Sequence, residues 1–77
     1  MFDRIVSNPA ILGGKPIIRG TRISVAMILE WVASGATRDD ILRKHGHLTA
    51  KDVEQALDYA AASVRKDVLL TAEVLGP

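Results

Sequence analysis

Gly13-Gly14-Lys15-Pro16-Ile17-Ile18-Arg19-Gly20-Thr21-Arg22-Ile23-Ser24-Val25 sets three glycines, one proline and three cations around a short β-branched core. Gly-Gly supplies positive φ or a close backbone approach, and Pro16 fixes the direction of the chain. Ile17-Ile18 and then Ile23 read as two strand fragments separated by a basic turn. The segment closes on Ser24, a good helix N-cap, so strand signals give way to helical ones there. Two roles suit it: a strand-forming assembly element and a basic contact surface.

Downstream of Ser24, Val25, Ile28, Leu29 and Val32 fall at i, i+3, i+4 and i+7. This spacing predicts a first helix from Val25 to Ser34, stopped by Gly35. Thr37 opens a second, brief helix, with Asp40 placed to cap reciprocally, Ile41-Leu42 facing the core, and an end near His45-Gly46. Thr49 and Asp52 repeat the device at the start of a third helix. Its stripe is Val53, Ala56, Leu57, Ala60, Ala61, Val64, Val68 and Leu75. With no Gly or Pro before Gly76-Pro77, this helix can reach about 26 residues and roughly 39 Å. A compact chain of this size is only about 30 Å across. Either the helix bends near Ser63 and folds back, or its apolar end packs on another chain. The absence of any turn residue from Ala60 to Leu75 favours the second. The expected fold is mainly α with short N-terminal β-strands: a three-helix domain of helix-turn-helix outline with a long C-terminal helix.

The 77 residues make one small domain, near the size at which oligomerisation commonly supplements a marginal core. It divides into a basic strand and turn arm (1–23), a helical core (24–61) and a C-terminal helix extension (62–77). The arm carries Arg4, Lys15, Arg19 and Arg22 against Asp3, a local +3. The remainder carries six cations against eight acids, a local −2. This division suits two different partners, although basic residues on short strands also serve simply to discourage edge aggregation. Without cysteine there is neither a disulfide scaffold nor a thiolate metal site. Neither a signal-peptide core nor a membrane-length apolar run is present, so a soluble cytoplasmic protein is expected.

Several chemistries are disfavoured. His45 and His47 lack a convincing third ligand, so no metal site is expected. The glycines of 13–20 lack the Gly-Lys-Ser/Thr order of a phosphate loop, and the chain is too short for its parallel sheet. Ser7, Ser24, Ser34 and Ser63 have no evident His and acid partners, so no enzyme, cofactor or small-molecule substrate is expected. Trp31 and Tyr59 read as core or interface anchors. The outline from Thr37 to Tyr59 fits both a DNA-reading helix-turn-helix and a plain helical hairpin. The third helix opens on Lys51, Asp52, Glu54, Gln55 and Asp58, whose three acids make a poor match to phosphate.

Arg4-Ile5, Asn8-Pro9, Gly13-Gly14-Lys15-Pro16, Ile18, Gly20-Thr21-Arg22-Ile23 and Val25, followed by Gly35, Ile41-Leu42, Leu48-Thr49, Val53 and Ala56-Leu57-Asp58-Tyr59-Ala60, form a pattern that resembles the domain of unknown function 433 family. The resemblance implies a winged or homeodomain-like helical fold with N-terminal β-strands. It also implies a bacterial antitoxin of the VapB kind, paired with a PIN-like ribonuclease toxin. The family places a proline where this chain has Gly46. A glycine there is expected to give the positive φ that ends the second helix.

Three functions follow as expectations. In the first, an antitoxin dimerises through its N-terminal part and contacts operator DNA through Lys15, Arg19 and Arg22, with Lys51 and Gln55 on the third helix. Its Val68, Leu69, Leu70, Val74 and Leu75 occupy a toxin groove, and Arg65 and Lys66 compete for the toxin's acidic metal site. The second is a stand-alone helix-turn-helix regulator, and the third a pure dimerisation module.

Overall fold

The computed structural model describes the backbone of residues 2–71 and the side chains through residue 65. Two short strands, β1 (Ile5–Val6) and β2 (Ile17–Ile18), pair antiparallel within the chain, Ile5 opposite Ile18 and Val6 opposite Ile17. The link between them tightens into a 3-10 turn at Leu12–Gly14, where φ is +50, +67 and +84 at successive residues. The Ile23 fragment, expected as a strand, contributes only a bridge. Ile18 N–H donates to the Ile23 carbonyl at 2.9 Å, and Ser24 bridges Ile17. The physical reason is that Ser24 already caps a helix, so the chain leaves the sheet after one bridge, and β1 supplies the ladder instead.

Helix α1 spans Val25–Ala33, and the Ser24 hydroxyl accepts from the Met27 N–H at 3.0 Å. Helix α2 (Arg38–Lys44) and helix α3 (Ala50–Thr71) each start on a capping box. In α2, Asp40 N–H donates to Thr37 Oγ1 at 3.1 Å and Thr37 N–H to Asp40 Oδ2 at 2.8 Å. Thr49 and Asp52 repeat the exchange at 3.2 and 2.9 Å. These reciprocal bonds satisfy N–H groups that the first helical turn leaves without a partner. The fold is therefore mainly helical: three helices, a two-stranded sheet at the N-terminal end, and a long last helix.

The core joins Ile18, Ile23, Val25, Ile28, Ile41, Leu48, Val53, Ala56 and Ala60, with α1 packed chiefly on α3. Two expectations need correcting. Leu29 and Val32 on α1 are 40% and 38% exposed rather than buried. Among the described side chains of α3 the last buried one is Ala60, with Ala61 exposed and Val64 54% exposed. One layer of helices covers only one face of each, so Leu29, Val32 and Val64 stay partly open to solvent. No bend occurs near Ser63 either. Its hydroxyl donates to the Tyr59 carbonyl at 3.0 Å and the helix runs on unbroken to Thr71. No helix of the described residues is long and apolar enough to cross a membrane.

The glycine expectations divide. Gly35 follows α1 with φ +103, as a helix-terminating glycine should. Gly46 does not take positive φ. Instead the Leu48 N–H donates to the His45 carbonyl at 2.9 Å, closing a turn around Gly46, and a Cβ there would meet nothing within 4 Å. Gly35→Ala is therefore expected to cost about 1 kcal/mol, whereas Gly46→Ala raises stability by about 0.5 kcal/mol. Chemical denaturation of the two variants checks the contrast.

Candidate functional site

The turn between β2 and Ser24 presents Arg19 and Arg22 on a backbone held at several points. Thr21 N–H donates to the Ile18 carbonyl at 3.0 Å, placing Arg19 and Gly20 at the turn's centre, and Gly20 has φ +78. This is the arrangement of a type II turn, which calls for glycine at that third position. The Thr21 hydroxyl donates to Ile18 O at 2.8 Å and accepts from Ile23 N–H at 3.0 Å. Arg19 N–H is held by the Arg4 carbonyl at 2.8 Å. Neither arginine has a carboxylate of the described residues within 4.0 Å, and Arg19 and Arg22 are both exposed. Beside them a shallow groove runs past Asn8, Ile11 and Thr21.

Lys15 lies apart. The Val25 N–H donates to the Pro16 carbonyl, so Lys15 stands at the opposite end of the hairpin, beside Leu12, Met27 and Glu30. Four steps of extended chain separate it from Arg19 by about 13 Å. The expected trio is thus an arginine pair with a distant lysine.

Arg4, the fourth cation of the arm, is an internal tie. Its Nη1 meets Asp52 Oδ1 at 3.0 Å, while its Nε is buried without a partner. Gln55, expected to contact DNA, clasps the arm with both ends of its amide. Its Oε1 accepts from Arg4 N–H at 2.9 Å and its Nε2 donates to Asp3 Oδ1 at 2.7 Å. Phe2 adds an edge contact to Tyr59, ring centroids 5.3 Å apart. Residues 2–6 are therefore fastened to α3 along one side. Burial raises the pKa of Asp52, but hydrogen bonds from the Thr49 backbone, Arg4 and the Thr49 side chain outweigh it and hold the carboxyl below its ordinary value.

Lys51 is exposed in a face of α3 that also carries Glu54 and Asp58, and Arg38 bridges Glu54 at 3.2 Å. Two cations and two acids leave this face without net charge, so the start of α3 offers phosphate little attraction. Trp31 stacks on His45 with centroids 4.5 Å apart and 12° between ring planes, above Ala36 and Ile41. His47 meets His45 edge-on at 6.2 Å, and no group of three or more metal-ligating side chains forms among the described residues.

Of the expected partner-binding residues, Arg65 is exposed on α3. Lys66, Val68, Leu69 and Leu70 lie on the helix backbone, and their side chains fall outside the described residues, as do Val74 and Leu75 entirely.

The family described as "Protein of unknown function (DUF433)" matches residues 5–60. The uncharacterized protein y4eO of Sinorhizobium fredii (strain NBRC 101917 / NGR234) is 37% identical over 59 residues, which are 77% of this chain and 27% of that protein. A crystal structure of a DUF433 member protein from Anabaena variabilis superposes with a TM-score of 0.78 at 30% identity, covering 83% of this chain and 63% of that one. The chain thus spans little more than a quarter of the first relative and under two thirds of the second.

Proposed function

This chain belongs to the DUF433 family, and from that premise we propose that it is a non-catalytic, antitoxin-type protein that neutralises a PIN-like ribonuclease by direct binding. The observation that carries this reading is the course of α3, which continues as helix to Thr71 although Ala60 is the last buried one among its described side chains. The eleven residues from Ala61 to Thr71 continue the helix for about 16 Å beyond Ala60. Ala61, Ser63, Val64 and Arg65 at the start of that stretch are exposed, and its sequence is rich in Val and Leu. An apolar helix end of this kind suits a groove on a partner, read through anchors one turn apart. Arg65 and Lys66 would then approach the clustered carboxylates of a metal-dependent ribonuclease and block it by occlusion. Mixing the protein with the product of the adjacent gene should give a stable complex on size exclusion. Separate elution at micromolar concentration would sink the reading.

A second activity, operator binding, is favoured by the braced Arg19 and Arg22 pair. Replacing both with alanine is expected to weaken duplex binding on all sequences alike. It should also lower the slope of log affinity against log salt by about 2, one unit for each phosphate no longer neutralised. A titration at several salt concentrations checks this, and an unchanged slope would remove the turn from the interface.

A further inference from the structure

Beside the buried line Val53, Ala56 and Ala60, helix α3 carries a second strip at the same helical spacing: Leu57, Asp58, Ala61, Val64 and Arg65. Leu57 is half-buried, Ala61 and Val64 are exposed, and the charged residues at either end, Asp58 and Arg65, are both exposed. No cation of the described residues lies within 4.0 Å of Asp58. The strip therefore reads acid, small residue, base along the helix axis. A parallel neighbour with the same strip would set like charges side by side. An inverted one sets Asp58 against Arg65 twice. Turning a copy about a two-fold axis between Ala61 and Ala62 brings these residues opposite each other, because Asp58 and Arg65 are equally far from that point. Ala61 at the crossing lets the two backbones approach closely, with Leu57 and Val64 filling the space on either side.

From this self-complementarity we propose that a second copy of this chain packs antiparallel on the α3 strip, crossing at Ala61, with Asp58 of each protomer paired to the partner's Arg65. The N-terminal strands, which pair within the chain, take no part. This dimer is argued from the strip alone and not from the ribonuclease reading, and Ala61, Val64 and Arg65 are common to the strip and to the helix end assigned to the toxin. It also places two Arg19 and Arg22 turns on one symmetric particle, which raises affinity for any extended polyanion through effective concentration.

Sedimentation equilibrium on the full chain tests it by charge reversal. Asp58→Arg alone and Arg65→Asp alone each turn two attractive pairs into repulsive ones and should weaken dimerisation about tenfold at low salt. The double variant D58R/R65D restores opposite charges and should recover most of the loss. Ala61→Arg, at an exposed position, should keep its helical circular dichroism and abolish the dimer. A wild-type monomer at every concentration, single reversals without effect, a double reversal no tighter than the singles, or a folded Ala61→Arg dimer would each overturn the proposal.

Discussion

Replacing Ile28 by alanine is expected to lower stability by about 3 kcal/mol. Ile28 is fully buried at the centre of α1, inside the cluster that joins Val25, Ile41, Val53, Ala56 and Ala60. Truncation removes three carbons' worth of transfer free energy and leaves a cavity that two packed helices close only in part. A domain of this length has about 4 to 12 kcal/mol in total, so the variant loses a large share of it. The midpoint of thermal unfolding should fall by roughly 15 °C. Leu29→Ala, one position further along but 40% exposed, should cost under about 1 kcal/mol. Equal effects at the two positions would mean that the outer face of α1 is covered in solution.

Asp52→Ala should have the next largest effect, about 2 to 4 kcal/mol. This one carboxylate, only 7% exposed, accepts the Thr49 N–H at the start of α3 and the Arg4 guanidinium from the arm. Removing it opens the capping box and leaves Arg4, whose Nε already lacks a partner, without its counter-charge. Residues 2–6 should loosen from α3 as a result, seen as faster amide exchange in β1.

The same group sets an acid limit. Asp52, Asp40 and Asp3 all have pKa values depressed in the folded state. Asp40 is held down mainly by the Thr37 backbone N–H, and Asp3 mainly by the Gln55 amide. Depressed carboxylates contribute stability that is present above their unfolded values, near pH 4, and lost as pH falls through their folded values. Denaturation midpoints should therefore hold steady from about pH 5 upward and fall below about pH 4. That fall should be smaller in the Asp52→Ala variant.

The helices were legible because their signals are local. Ser24, Thr37 with Asp40, Thr49 with Asp52, and Gly35 act over one turn, and each lies where its spacing placed it. β1 was not legible as a strand, since Ile5-Val6 shows too short a run to declare a period and its partner Ile17-Ile18 lies eleven residues beyond Val6. Nor were the ties of the arm, because Arg4 to Asp52 and Gln55 to Asp3 join residues 48 and 52 positions apart. Arg4 read as part of a basic face and Gln55 as a base contact for want of any local cue to their partners. Lys15, Arg19 and Arg22 cluster in sequence, but extended backbone between Lys15 and Arg19 spreads them in space. The stripe of α1 reads as core along its whole length, and that of α3 as core up to Val64. Periodicity marks an apolar face without saying how much of it the fold covers.

The run of α3 past Ala60 is the proposed handle for a ribonuclease partner. The most direct test follows RNA cleavage by the purified product of the adjacent gene while this protein is titrated in. Cleavage should fall in proportion to added protein and stop at a fixed stoichiometry. Undiminished cleavage in the presence of a large molar excess of folded protein would contradict it.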